Sequence, residues 1–416
     1  MKFIVHKRKY IDYTREFLPA FLRPRYDSIV DWLKYVVYQR WYKTKFLGFF
    51  HLLSYSIKSR SKILATAKEK RLLGVDDLKV TNVSIGGMLE FQIRLLAEAH
   101  LRKIDKIDIA LIYDPESPSN HWKYTSWTNK DNFHYHLAEI FPLLNVSPKL
   151  GSVFIFNSKN SFELFLHQNR SQYVTCPSIF NYANNLSFAR GNYGLLRDFY
   201  IKEKFLPELE LPEAITLWVK AFMKKYAKDK YVIAVNLRSN PFFAQFRNAV
   251  IDTWKSFFEY CLKKHDNVFF VVIGRKNEIV EEFRKLSNII FEADYNVNVQ
   301  HTLGFIKHSL FYMGIASGPA SFAVFSKNIS YVIVSFHAPD INYNYNWLKP
   351  GSFFPWQNKR LQKLIWERET PELLIKEFED LFNKVDKEKW ADNLRLNNID
   401  ESILEWPYLV KKNNNG

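Results

Sequence analysis

Four short runs in the C-terminal half of the chain are apolar at nearly every position. They are Tyr231-Val232-Ile233-Ala234-Val235-Asn236-Leu237, Val268-Phe269-Phe270-Val271-Val272-Ile273, Leu310-Phe311-Tyr312-Met313-Gly314 and Tyr331-Val332-Ile333-Val334. A strand with one wet face alternates apolar with polar, so a run apolar on both faces must be covered on both. The segments between them carry helical spacing: Asn248 to Lys264, Glu278 to Leu286, Val299 to Lys307 and Ala320 to Ser326. A short strand is expected at Ile289-Ile290-Phe291. Apolar strands alternating with amphipathic helices imply a parallel sheet with helices on both sides.

A second series precedes this one. Leu78 to Val83 reads as a strand, Ser84-Ile85-Gly86-Gly87 as a turn, Met88 to Arg102 as a helix and Ile107 to Tyr113 as a strand. Further strands are expected at Ser152–Phe156 and Gln172–Thr175, and a charged helix from Glu213 to Lys228 separates the two series. The fold class is therefore α/β, with two Rossmann-like parallel-sheet domains facing a cleft, where parallel sheets bind ligands at their strand C-terminal ends. The expected boundaries are a basic, aromatic, helical N-terminal extension over 1–74, a first α/β domain over 75–228, a second α/β domain over 229–385, and a C-terminal helix and tail over 386–416.

Charge separates the extension from the rest. The chain has 416 residues and a formal net charge of +16. Residues 1–74 hold 17 Lys and Arg against 5 Asp and Glu, whereas the rest holds 42 against 38. A nearly neutral body argues against a nucleic-acid-binding core, whose basic residues would line its groove. The extension reads either as an anionic-membrane address or as an arm packed on the body. Two cysteines, Cys176 and Cys261, make neither a disulfide framework nor a thiolate zinc site, and fit a reducing compartment. No apolar run reaches the ~20 residues that span a bilayer. A cytoplasmic protein, possible at the inner membrane face, is the expectation.

Three segments could carry chemistry. In Gly314-Ile315-Ala316-Ser317-Gly318-Pro319-Ala320-Ser321-Phe322-Ala323 a strand enters a Ser-Gly-Pro turn and then a helix. Glycine lets a ligand approach the backbone, and helix N-terminal N–H groups suit phosphate. Ser317 and Ser321 add hydroxyls, and an ordinary turn capped by Ser317 is the alternative. The run Asn236-Leu237-Arg238-Ser239-Asn240-Pro241, followed by Arg247-Asn248, puts Arg238 at a strand end, where a guanidinium can grip a diphosphate with two parallel bonds. Arg247, at the expected start of a helix, opposes the helix dipole and suggests an anion nearby or a surface salt bridge. Arg275 follows Gly274 at the next strand end.

Taken in chain order, Leu237-Arg238, then Ile273-Gly274-Arg275-Lys276-Asn277-Glu278, then Met313 to Ala323, the segments resemble the nucleotide-binding half of GT-B glycosyltransferases, in particular the heptosyltransferase-like and fucosyltransferase-like branches. The likeness covers about 230–335, and extends to 79–114 through Val83-Ser84-Ile85-Gly86-Gly87-Met88-Leu89, which looks like the family's first glycine loop. It implies that Arg238 and the Ser317-Gly318-Pro319 turn hold the donor diphosphate, beside which Arg247 and Ser321 are further candidates by their own positions, that Arg275 and Glu278 lie near the nucleoside, and that Gly86 and Gly87 form the first loop. It also implies an inverting displacement at the sugar's anomeric carbon with a carboxylate as base. The heptosyltransferase-like branch carries an Asp after the first loop's glycine, where this chain has Gly87. Asp114 and Glu116, at a strand end, are the preferred bases, with Glu90 and His121 as further candidates and polar turn residues as the plain alternative. No Asp-x-Asp pair occurs, so neither metal nor cofactor is expected and protein cations would serve the diphosphate. The expected partners are a nucleotide sugar, a glycan or lipid-linked acceptor of bacterial surface polysaccharide synthesis, and no nucleic acid. A nucleotide-sugar epimerase of the same fold and a non-catalytic membrane- or polymer-binding scaffold are the rival readings.

Overall fold

The structure is a computed structural model, and it describes residues 71–78, 84–113, 133–169, 171–176, 193–240, 245–295, 297–336, 348, 351–394, 399 and 401–405. These residues fall into two compact units, one within Met1–Thr81, Glu98–Asp114 and Gly151–Ala189, the other within Asn82–Ala97, Pro115–Leu150 and Arg190–Gly416. Each unit is built on its own sheet, as the two apolar series require.

The first sheet has the order β3-β2-β1-β4, formed by β1 (Arg71–Asp77), β2 (Ile107–Ile112), β3 (Leu150–Phe156) and β4 (Tyr173–Cys176). β1 pairs in parallel with both β2 and β4. β1 corrects the expected extension and the expected strand at Leu78–Val83. The strand lies at Arg71–Asp77, Leu78 follows it in a turn, and 79–83 lie outside the described residues. Arg71, Asp76 and Asp77 disguise a segment whose Leu72, Leu73 and Val75 are buried. The remainder of the extension, 1–70, lies outside the described residues.

One buried acid ties this sheet together at its amino-terminal edge. Asp108 of β2 takes both guanidinium contacts of Arg71 on β1, the backbone N–H of Ser152 on β3 at 2.6 Å and the hydroxyl of Tyr173 on β4 at 3.0 Å. Burial, and then the Asp108 charge, push the Tyr173 phenol up to about 12, so it stays a donor at neutral pH. Gly151 is dictated by this cluster, because a Cβ there would lie 2.5 Å from Asp108 Oδ1 and still closer to Arg71. On the sheet's apolar side, Phe154 and Phe156 of β3 pack on Phe162 and Phe165 of the helix Lys159–Gln168. Ser158 starts that helix by accepting the N–H of Ser161 at 3.2 Å.

The second sheet has six strands in the order β10-β9-β8-β5-β6-β7. They are β5 (Tyr231–Asn236), β6 (Val268–Ile273), β7 (Ile289–Phe291), β8 (Phe311–Ile315), β9 (Tyr331–Val334) and β10 (Gln362–Leu364). Every pairing in it is parallel. On one face Trp254, Phe257 and Phe258 of the helix Ile251–Lys264 meet Phe270 of β6 and Phe378 of the helix Pro371–Lys384. A second helical pair, Glu213–Ala227 and Val299–His308, packs tightly where Gly304 meets Val219, since a Cβ at 304 would lie 2.7 Å from the valine methyl.

Three expectations are corrected here. The segment expected as a helix over Glu278–Leu286 forms two 3₁₀ turns, Lys276–Glu278 and Glu281–Lys285, because the Glu278 side chain accepts the Arg275 N–H and closes the first turn on itself. The helix expected from Asn248 begins at Ile251, since Asn248 spends its side chain on residues 238 and 240. The helix after the Ser-Gly-Pro turn is a short Ala320–Val324.

Asp108 is buried while its partner Arg71 is 30% exposed, so the main loss on removing Asp108 is the acceptor for Tyr173 and the Ser152 N–H. Asp108→Ala is therefore expected to lower unfolding stability by about 1–3 kcal/mol in denaturant titration, the cost of unsatisfied donors. A change under about 0.5 kcal/mol, the range of a neutral surface substitution, would remove Asp108 from this role.

Candidate functional site

Parallel strands end on one edge, so the loops after β5, β6 and β8 emerge side by side. The buried Asn236, last residue of β5, joins all three. Its amide donates to the Ile273 carbonyl of β6 at 3.1 Å, and its oxygen accepts the Ser317 hydroxyl at 2.6 Å. Ser317 therefore faces back onto the sheet edge and does not cap the following helix, whose N-cap position is Pro319 with no side-chain bond. A helix of five residues also carries little dipole, so any anion here depends on side-chain cations and local N–H groups more than on that helix.

Arg238, 8% exposed, lies just past β5. Its Nη1 donates to Asn248 Oδ1 at 2.5 Å, and the same oxygen accepts the Asn240 N–H at 2.9 Å. The Asn248 amide returns a bond to the Asn240 carbonyl at 2.9 Å, and the Ala249 N–H donates to the Arg238 carbonyl at 2.9 Å. Asn248 thus orients the guanidinium through a neutral group. Arg247 sits in the turn Gln245–Arg247 and donates to the Ala316 carbonyl, immediately before the Ser317-Gly318-Pro319 turn. The helix-dipole reason for noticing Arg247 therefore falls away, and its place beside that turn replaces it.

Arg275 lies past β6 and pairs with Glu139 at 2.6 Å. Glu139 belongs to the helix Phe133–Ile140, as does the buried His136, whose Nδ1 lies 3.4 Å from the same carboxylate. These two side chains were missed as neighbours of the site. The sequence signal was a His-x-x-Glu spacing on a short helix, which alone says nothing about Arg275.

Glu278 is half-buried between the two strand ends. It accepts the Arg275 N–H at 3.2 Å, and burial holds its carboxyl above the usual carboxylate range against the opposing pull of that N–H, the Arg275 charge, the Ser239 N–H and the Arg238 charge. Gly274, at φ +151°, makes the turn that allows this, and a Cβ there would lie 3.2 Å from Glu278 Oε2. Beneath it Glu292 accepts the Gly274 N–H at 3.0 Å and the Thr302 hydroxyl at 2.8 Å. Burial pushes Glu292 up to about 8.

The turn expected at Ser84–Gly87 is instead the first turn of a helix that starts at Ile85, and it meets the Gly318 turn. A Cβ on Gly86 would lie 3.0 Å from the Ser321 hydroxyl and 3.3 Å from Gly318 Cα, and a Cβ on Gly318 would lie 3.2 Å from the Gly86 nitrogen. Gly86 and Gly87 open the helix Ile85–Arg102, where the Gly87 N–H donates to Ser84 Oγ at 3.2 Å. Among the sequence candidates, Gly86, Gly318 and Ser321 thus come together, as do Arg238, Glu278 and Arg275, while Arg247 and Ser317 bracket Ala316. Glu90 is buried on the helix Ile85–Arg102. Asp114, Glu116 and His121 lie outside the described residues, as does the aromatic segment 342–347. Of the loop that follows it, Phe354 and Trp356 are buried and stacked at 5.0 Å, with the indole N–H on the Val324 carbonyl at 2.9 Å. Among the described residues no helix is long and apolar enough to cross a membrane.

No family model matches the chain, and no curated protein matches it. Among solved structures it is similar to the ADP-heptose lipopolysaccharide heptosyltransferase II of E. coli, at 12% identity over 76% of this chain and 98% of that one, with a TM-score of 0.47. It is also similar to a glycosyl transferase family 9 protein of Veillonella parvula, at 8% identity over 82% and 98% of the two chains, with a TM-score of 0.44. A variant of the wall teichoic acid polymerase TagF matches at 13% identity over 86% and 93%, with a TM-score of 0.32.

Glu292 gives a pH signature. The unfolded chain ionises this carboxyl near ~4.3, whereas the folded chain does so only near 8. Between those values the folded state holds the extra proton, so its contribution to stability falls as pH rises through the window. Glu292→Gln keeps an oxygen for Gly274 and Thr302 and cannot ionise. Its melting temperature relative to the parent protein is expected to rise from pH 5 to pH 8. A constant difference across that range would show that Glu292 ionises normally.

Proposed function

We propose that this chain is a GT-B-type glycosyltransferase that takes a nucleotide-diphosphate sugar at the carboxyl edge of its second sheet. The observation that carries the reading is the gathering of Arg238, Arg247 and Arg275 along the one edge where the Gly86 and Gly318 loops also touch. Three guanidinium groups anchored to a rigid sheet match what a diphosphate requires, namely fixed cations with forked donors.

The reaction is a single displacement at the anomeric carbon. The acceptor hydroxyl forms the new carbon–oxygen bond, the bond to the donor's diphosphate breaks, and the nucleoside diphosphate leaves with the electron pair. Negative charge grows on the leaving oxygens, and preorganised cations and N–H groups stabilise it most where it grows most. Arg238 and the Gly318 turn are assigned to the phosphates, and Arg275 with Glu278 to the nucleoside side. One displacement inverts the sugar's configuration and needs a base for the acceptor proton. Asp114 and Glu116 are proposed for that step on their sequence position at the end of β2. The acceptor is proposed to be a glycan or lipid-linked glycan of a bacterial surface polymer, and the protein's own cations replace a metal on the diphosphate.

The test is a thermal-shift and titration panel of ADP, GDP, UDP and CDP. A ligand selective for the native state raises its melting temperature. At least one of the four is expected to bind. Arg238→Lys retains the charge and loses the fork, and is expected to weaken that nucleotide about 10–100-fold, the worth of a charged hydrogen bond. Equal affinity in the variant would overturn the assignment of Arg238.

A further inference from the structure

The segment 246–250 carries the two side chains that arrange the proposed phosphate site. Arg247 reaches the Ala316 carbonyl before the Ser-Gly-Pro turn, and Asn248 orients Arg238 and Asn240. The segment is neither strand nor helix beyond the short turn Gln245–Arg247, so regular secondary structure does not fix it.

It is gripped instead from a distant part of the chain, between β10 and the helix Pro371–Lys384. The Arg368 guanidinium donates to the Phe246 carbonyl at 2.5 Å and to the Asn248 carbonyl at 3.2 Å. The next residue, Glu369, is 2% exposed and accepts the Val250 N–H at 2.8 Å through one oxygen and the Ser335 hydroxyl through the other. Ser335 stands just past β9 with φ +54°, and its own N–H donates to the Glu367 carbonyl at 3.1 Å. A cation thus takes the carbonyls on either side of Arg247, and an anion takes the N–H two residues beyond Asn248. The two groups also lie 3.7 Å apart.

We infer that Arg368 and Glu369 form a positioning pair that sets the register of 246–250, so that Arg238 and Arg247 meet a nucleoside diphosphate already aligned. The inference rests on the diphosphate reading above. Neither residue need touch the ligand. Their effect passes through Asn248 to Arg238 and through Arg247 to the Gly318 turn. The polarity of the grip is specific, since the guanidinium supplies only donors and the carboxylate only acceptors.

Arg368 is 43% exposed along its side chain, so Arg368→Ala removes the grip without opening a buried hole. Using the nucleoside diphosphate that binds the parent protein best, Arg368→Ala is expected to weaken affinity about tenfold or more, the scale of effect that a small misplacement produces. The matching nucleoside, without phosphates, should bind as before, and the melting temperature should change little. Amide hydrogen exchange across 245–250 should quicken. Glu369→Gln, whose amide oxygen can accept the Val250 N–H while its NH₂ donates to the Ser335 oxygen, should retain most of the affinity. Nucleoside diphosphate affinity within twofold of the parent in Arg368→Ala would overturn the positioning pair alone. An equal loss of nucleoside affinity would overturn it as well, by marking a general structural defect. Failure of the parent protein to bind any of ADP, GDP, UDP or CDP would instead overturn the diphosphate reading, and the pair's assigned role with it.

Discussion

The arrangement of the second sheet's carboxyl edge depends on one buried amide. Asn236 spends its donor on the end of β6 and its acceptor on the hydroxyl after β8. An amide is suited to this place because it offers a donor and an acceptor at opposite corners of one plane. An aspartate would offer only acceptors to the Ile273 carbonyl, and a leucine would leave that carbonyl and Ser317 without it. Three loops are thereby held in fixed relation before any ligand arrives, and that is the condition under which cations act on a diphosphate without reorganising.

The two units use buried charge for different ends. In the first, Asp108 gathers Arg71, Tyr173 and the Ser152 N–H at the amino-terminal edge of the sheet, away from where parallel sheets bind ligands. Its polar capacity is consumed by the scaffold. In the second, buried or half-buried acids support the carboxyl edge. Glu292 holds the Gly274 turn from beneath, Glu278 bridges toward both strand ends, and Glu369 fixes the segment bearing Arg247 and Asn248. Of the arginines of that edge, Arg238 is oriented by Asn248 and Arg247 by the Ala316 carbonyl, whereas Arg275 is paired with Glu139.

Much of this was legible in the sequence for a physical reason. Strands β5, β6, β8 and β9 are apolar on both faces, and such runs have no stable place outside a covered parallel sheet. Arg238, Arg275 and Gly318 could be singled out because each follows a strand at the carboxyl edge of the second sheet. What stayed hidden depends on contacts far apart in sequence. The strand Arg71–Asp77 was masked by its charged residues, of which Arg71 finds its partner Asp108 on β2, and the 3₁₀ turn at Lys276–Glu278 by a side chain folding back on its own turn. The Arg368–Glu369 grip joins positions about 120 residues apart and carries no local motif. Residue Arg247 was noticed for a helix start that lies elsewhere, and its contact with Ala316 is a tertiary one.

The central claim is that this edge holds the diphosphate of a nucleotide sugar. A crystal structure of the protein with its preferred nucleoside diphosphate tests it most directly. The account requires phosphate oxygens within hydrogen-bonding distance of the Arg238 guanidinium, about 2.7–3.2 Å, and against the Gly318 turn. A nucleotide bound elsewhere on the protein, with Arg238 still held only by Asn248 and its other protein neighbours, would contradict it.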